Sequence, residues 1–248
     1  MKRILVLNPN TVTSVTALLA GEARLVAGDR AEILEATAPF GAGGIESQSE
    51  GAIAAHAVLT VGAEHQHVDA IIVAAFMDPG LDALREISMV PAVGLCESGV
   101  RAASVNGRRF ALVSLGPAMR PLIERIVAGC GATDRLVSVR YVGASVPQMA
   151  RDRPALLERI VDVARAAEAD GAEAILFGGA VFAGIHREIG HRLTVPLVDG
   201  IGAATEAALA APPPLREDLT GRQPAKPYPG VPPALARLID RKLNPGAA

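Results

Sequence analysis

The chain repeats itself at an almost constant spacing. Asp69-Ala70-Ile71-Ile72-Val73-Ala74-Ala75 and Glu173-Ala174-Ile175-Leu176-Phe177-Gly178-Gly179 share an acid, an alanine, an aliphatic run and small closing residues, 104 positions apart. Val90-Pro91-Ala92-Val93 returns as Val195-Pro196-Leu197-Val198 after 105 positions. Arg3-Ile4-Leu5-Val6-Leu7-Asn8 returns as Arg109-Phe110-Ala111-Leu112-Val113-Ser114 after 106. Three matches in the same order point to a duplicated unit. Within each copy, short aliphatic runs alternate with alanine-rich amphipathic stretches, the pattern of parallel strands joined by right-handed helical crossovers.

The expected fold class is therefore α/β, with two pseudo-twofold-related domains, each a parallel sheet flanked by helices. The first domain is expected to comprise residues 1–104 and 208–248, the second residues 105–207. Strands are expected at 4–7, 31–36, 70–75 and 90–95, and again at 110–114, 136–141, 174–177 and 195–198. Helices are expected around 15–23, through Arg85 after the turn at 78–80, and at 49–64, 118–129, 154–169, 185–192 and 201–210. The Pro-rich stretch beyond 211 reads as an extended wrap carrying one short helix around 234–242. Parallel sheets receive ligands beyond the carboxyl ends of their strands. Two such edges facing each other make a cleft between the domains, with Asn8 paired to Ser114 and Ala75 to Gly179.

Composition agrees with buried parallel strands: half of the 248 residues are apolar, aromatics are 3% and tryptophan is absent. The 24 basic and 26 acidic residues leave a formal charge of −2, which argues against a nucleic-acid partner. The apolar run at 4–7 is too short for a signal-peptide core, and no run approaches the about 18 residues of a membrane span. A cytoplasmic location is the expectation. Two cysteines exclude a disulfide framework, and the histidines show no metal-ligand spacing, so no metal site is assigned.

The motifs Asn8-Pro9-Asn10-Thr11, Phe76-Met77-Asp78-Pro79-Gly80-Leu81 and Gly178-Gly179-Ala180-Val181-Phe182-Ala183-Gly184 resemble those of the aspartate/glutamate/hydantoin racemase superfamily, above all its hydantoin and allantoin racemase branch. The resemblance runs through Val195-Pro196-Leu197-Val198-Asp199-Gly200 into the Pro-rich tail. It implies cofactor-independent proton exchange at an acidic carbon by two cysteines on opposite faces of the ligand, one accepting and one delivering a proton. It also implies a small-molecule substrate and a homo-oligomer. In the family pattern the first cysteine precedes the Phe of Phe-x-Asp-Pro-Gly, where this chain has Ala75. The second lies in Gly-Cys-Ala-Gly, where this chain has Gly179. A relative that decarboxylates arylmalonates keeps only the second cysteine, which is absent here too. Two-cysteine racemisation is not supported.

The remaining candidates for acid–base work are Cys96, Glu97 and His186. Each has a plain structural role beside the chemical one: a buried small hydrophobe, a strand-end carboxylate bonded to backbone amides, and a surface histidine. Cys130 reads as part of a helix C-cap, and Asp78 and Asp199 as helix caps. The expected ligand-binding residues are Asn8, Phe40, Ser47, Ala75, Phe76, Ser114, Gly178, Gly179 and Ala180, with residues 40–47 as a lid. Met77 narrows the pocket or makes it more apolar. The expected function is binding of a small hydantoin-like or carboxylate ligand, with non-cysteine proton transfer or C–C/C–N cleavage. The alternative is a binding relative without turnover.

Overall fold

The computed structural model describes residues 1–213 and 226–243. The first half contains β1 (Lys2–Asn8), α1 (Thr13–Ala27), β2 (Ala31–Thr37), α2 (Gln48–Glu64), β3 (Ala70–Val73), α3 (Leu81–Ile87), β4 (Ala92–Gly94) and α4 (Leu95–Ala103). The second contains β5 (Phe110–Ser114), α5 (Arg120–Gly129), β6 (Leu136–Tyr141), α6 (Val146–Ala169), β7 (Ala174–Gly178), α7 (Ile185–Ile189), β8 (Leu197–Asp199) and α8 (Gly200–Ala210). These strands form two parallel four-stranded sheets of matching order, β2-β1-β3-β4 and β6-β5-β7-β8. Among the described residues, no helix is long and apolar enough to cross a membrane.

The repeat is physical as well as textual. Ile71 pairs with Ala92 across β3 and β4, and Ile175 with Leu197 across β7 and β8, so the register is the same in both copies. The acids that open the matching segments close the start of each central strand. The Arg3 N–H donates to the Asp69 carboxylate at 2.6 Å while the Asp69 N–H donates to the Arg3 carbonyl at 2.7 Å. Arg109 and Glu173 make the same reciprocal pair at 2.8 Å. Gly80 and Gly184, 104 positions apart, both take left-handed φ (72° and 74°) to start α3 and α7.

The central strands are sheathed on both faces, which is why they are aliphatic throughout: Ile4 to Leu7 and Phe110 to Val113 are fully buried. The helices α4 and α8 pack along each other between the sheets. α4 reaches β7 and β8 as well as β4, and α8 reaches β1, β3 and β4 as well as β8. The final helix, α9 (Pro233–Leu243), lies on α2 and α3, with Leu235 and Leu238 packed near Ile87. The part of the expected wrap at 214–225 lies outside the described residues.

Two helices differ from expectation: α4 starts at Leu95, the last residue of the strand expected at 90–95, where Asp78 takes up N–H groups of its first turn, and α6 starts early. α6 starts at Val146 rather than near 154, because Ser145 and Gln148 form a reciprocal capping box. The expected start instead marks an interruption: Asp152 leaves helical geometry (φ −117°, ψ 19°) just before Pro154, whose missing N–H and bulky ring disturb a helix interior.

The loop after β3 is tied down by a buried carboxylate. Asp78 Oδ1 accepts the Cys96 N–H at 2.9 Å and Oδ2 accepts the Glu97 N–H at 2.8 Å, so Asp78 serves the first turn of α4 from another loop. A Cβ on Gly94 would lie 2.3 Å from that carboxyl group. Gly94→Ala should therefore expel Asp78 and leave two N–H groups unpaired, costing about 2–4 kcal/mol of stability. Denaturant unfolding measures this, and a loss below about 0.5 kcal/mol would contradict the packing described.

Burial drives the Asp78 pKa up to about 7, against the opposing pull of the Glu97 and Cys96 N–H groups. In the unfolded chain the carboxyl titrates near about 4. Between those values the folded state holds a proton that the unfolded state has lost. Its contribution is therefore intact below about pH 4 and is lost as pH rises to about 7. Unfolding free energy measured across this window should fall with pH, and Asp78→Asn should flatten the fall. The same slope in both proteins would assign it elsewhere.

Candidate functional site

The carboxyl ends of the two sheets enclose one cavity of about 130 Å³. This is smaller than the about 300–1,000 Å³ of typical drug-sized sites. Ala75, Phe76 and Met77 follow β3 and form one wall; Gly178, Gly179, Ala180 and Val181 close β7 and form the other. Ser114, Leu115 and Gly116 at the end of β5 supply a third side. Gly44, Ile45 and Glu46 from one half meet Ala144 and Val146 from the other to cover it, with the Val146 N–H donating to Glu46 Oε1 at 3.3 Å.

The walls touch where side-chain bulk is lowest. A Cβ on Gly178 would lie 2.7 Å from the Phe76 ring and 2.9 Å from Leu112, so glycine is what lets a ring from the first half reach the second. Ala75 and Gly179 line the same cavity, and neither offers an ionisable atom.

Polar groups are few and specific. Asn10 Oδ1 accepts from Asn8 Nδ2 and from the Val12 N–H, both at 2.9 Å. Its Nδ2 makes no hydrogen bond to protein among the described residues, which leaves a donor at the cavity. Ser114 is buried and donates to the Gly178 carbonyl at 2.8 Å, keeping oxygen lone pairs available as acceptors. The N–H groups of Ala75, Phe76 and Met77 make no backbone bond among the described residues, whereas that of Asp78 turns back to the Ala75 carbonyl. Glu46 is the one ionisable side chain among the described lining residues, and no cationic side chain is among them.

Six of the residues expected at the site do not line this cavity. Asn8 is fully buried below the cavity, its Nδ2 shared among Asn10, Val12 and Thr16 and its Oδ1 accepting the Asn10 N–H, so it braces the turn that presents Asn10. Phe40 leans on His56 with ring centroids 5.2 Å apart, and Ser47 caps α2 by accepting the Glu50 N–H. Cys96 is fully buried in the core, where burial followed by the Asp78 charge raises its thiol pKa well above the ordinary value. Such a thiol stays protonated. Glu97 faces an outer groove and pairs with Arg85 and Arg101 at 2.9 and 3.1 Å; burial pushes its pKa up, but these arginines win and hold it below the ordinary value. His186 lies beside Asp199 and Glu22, away from the cavity.

Ala75, Phe76, Ser114, Gly178, Gly179 and Ala180 do line the cavity. Asn10 and Val146 were not expected as lining residues, whereas Glu46 falls within the 40–47 stretch expected as a lid. Asn10 stood in a quoted motif, but choosing it over Asn8 needs the turn geometry. Nothing in the local pattern announces Val146, because it meets Glu46 across loops 100 residues apart.

Comparison with known proteins gives a consistent result. The family model described as Asp/Glu/Hydantoin racemase matches residues 4–208. The hydantoin racemase of Paenarthrobacter aurescens is 34% identical over 210 residues, spanning 83% of this chain and 89% of that protein. Among solved structures, the allantoin racemase of Pseudomonas fluorescens shares 37% identity at a TM-score of 0.78, over 83% of this chain and 88% of its own. The allantoin racemase from Klebsiella pneumoniae shares 29% identity at a TM-score of 0.80, over 84% and 86%. A duplicated pair of parallel sheets closing on one small cavity, matched by model, sequence and structure alike, makes this chain a member of the Asp/Glu/hydantoin racemase family.

Proposed function

We propose that the cavity binds a compact, uncharged, hydantoin-like ring and that the chain does not racemise it by two-thiol proton exchange. The observation that carries this reading is that Ala75 and Gly179, the two positions of the family's cysteines, line one and the same cavity. Racemisation by two bases needs a proton acceptor on one face of the carbon and a donor on the other. A methyl group and a hydrogen supply neither.

The lining favours a neutral ring over a carboxylate. A free carboxylate wants a cationic partner or several converging donors, and Glu46 places a negative charge in the roof. A hydantoin-like ring alternates N–H and C=O groups. Asn10 Nδ2 and the N–H groups near Phe76 suit its carbonyls, and the Ser114 oxygen suits a ring N–H. The relatives' activities, hydantoin and allantoin racemisation, point to the same ligand class.

A second reading rests on Glu46. One carboxylate at the edge of the cavity could move a proton on a single face, which suits an isomerase, decarboxylase or lyase rather than a racemase. On this reading Glu46→Gln abolishes turnover while ligand affinity changes little.

In deuterium oxide, the wild-type chain should exchange neither enantiomer of a 5-substituted hydantoin at the ring carbon beyond the rate without protein, as followed by NMR. Rapid exchange of both enantiomers would overturn the proposal. The double variant Ala75→Cys/Gly179→Cys should gain exchange and loss of optical rotation, by about 10²-fold or more over wild type. A Cβ at position 179 would sit 3.2 Å from Phe182 Cδ2, and Gly179 holds a φ of 158° that side-chain-bearing residues rarely adopt, so both the ring and the backbone have to shift to admit the cysteine. A folded double variant that binds the hydantoin yet shows no gain would mean that positions 75 and 179 do not flank its reactive carbon.

A further inference from the structure

Away from the cavity, three side chains distant in sequence converge where the halves meet. Glu22 comes from α1, His186 from α7 and Asp199 from the end of β8. One ligand-type atom of each lies within 4.8 Å of those of the other two. The Glu22 side chain is only 4% exposed, and its Oε1 is buried with no hydrogen-bond partner. His186 Nδ1 is also buried and unpartnered, 3.6 Å from Asp199 Oδ2. Asp199 is held in place by two backbone donors: the Ile201 N–H bonds Oδ1 at 3.2 Å and the Gly184 N–H bonds Oδ2 at 2.9 Å. Each oxygen keeps further acceptor capacity.

We propose that Glu22, His186 and Asp199 form a site for a divalent transition-metal cation of the zinc type, separate from the cavity. One imidazole nitrogen and two carboxylate oxygens are a borderline donor set suited to such ions, whereas calcium and magnesium take all-oxygen shells. Metal–ligand bonds of about 2.1 Å put tetrahedral ligands about 3.4 Å apart, so the three atoms must close inward, with water as the fourth ligand. The buried, unpartnered Glu22 oxygen is the group that gains most from a cation. Spacings of 164 and 13 residues match no metal motif, which is why the sequence offers no hint of the site.

Arg187 is the natural competitor. Its guanidinium pairs with Glu22 Oε2 and lies 3.3 Å from His186 Nε2, yet its side chain is 44% exposed. Swinging into solvent, it would release Glu22 and let the imidazole carry its proton on Nε2, as Nδ1 ligation requires. Metal and guanidinium then compete for one carboxylate. A bound metal would bridge α1 of the first half to α7 and β8 of the second. Through the Gly184 N–H bond to Asp199, it would also steady the loop whose start forms a cavity wall.

The test uses cobalt(II) as a spectroscopic probe and zinc(II) in calorimetry, on full-length protein stripped with a chelator. Wild type should bind one equivalent of Co2+ with visible d–d bands, and Zn2+ should displace it. His186→Ala should weaken binding more than about tenfold. Arg187→Ala should bind more tightly than wild type, since it removes the competing positive charge. His186→Gln serves if the alanine variant does not fold by circular dichroism. The proposal fails if neither wild type nor Arg187→Ala takes up metal at millimolar concentration. It also fails if loss of the imidazole leaves affinity unchanged, which would place the ion elsewhere. Equal affinity in Arg187→Ala and wild type counts against it too, because the guanidinium would then not share the carboxylate.

Discussion

Parallel strands end in loops that all leave from one edge, and in this chain two such edges are pressed together. At that junction the Phe76 ring of the first half packs on Gly178 of the second, in space that a Cβ at 178 would take. Around it, α4 and α8 pack side by side and each touches both sheets, so the halves share helices as well as a cavity. A duplicated unit arranged in this way presents pseudo-equivalent positions to a ligand from opposite sides. That geometry is what proton exchange on two faces of a carbon demands, and here it persists around walls of alanine and glycine.

The symmetry is broken at the carboxylates. In the first half, Asp78 reaches from the loop after β3 to the first turn of α4, and Gly94 at the end of β4 makes room for it. In the second half, position 199, the counterpart of Gly94, carries the acid itself. Asp199 reaches the opposite way, to the Gly184 N–H in the loop after β7, while also capping α8. Burial raises the pKa of both groups against the pull of their N–H donors. The same junction is thus braced from opposite directions, and only the second arrangement leaves a carboxylate oxygen facing a histidine and a second buried acid.

Much of this was legible from the residues. Repetition at a constant offset implied two sheets of the same order, since aliphatic runs closed by small residues fit only strands covered on both faces. The strands at 4–7, 110–114 and 174–177 fall inside the observed elements for that reason. What escaped was set by contacts remote in sequence. Asn8 looked like a ligand donor because it ends a strand, but its amide is consumed by Asn10 and Val12 of the turn that follows and by Thr16. Cys96 and Glu97 follow a strand end, yet they open a helix that points them into the core and an outer groove. The roof joins Glu46 of the expected lid to Val146, and the cluster joins Glu22 to His186 and Asp199, 164 and 177 positions further on; no local pattern encodes either pairing. The start of α6 was hidden by Pro154, which kinks that helix without beginning it.

Positions 75 and 179 line one cavity, and the proposed ligand would lie between them. The most direct measurement is a crystal structure of the wild-type protein grown with a 5-substituted hydantoin. The ring is expected between Ala75 and Gly179, with a carbonyl toward Asn10 Nδ2 and an N–H toward Ser114. A ring bound instead in the outer groove near Arg85 and Arg125, with the chamber between 75 and 179 left without it, would contradict the account.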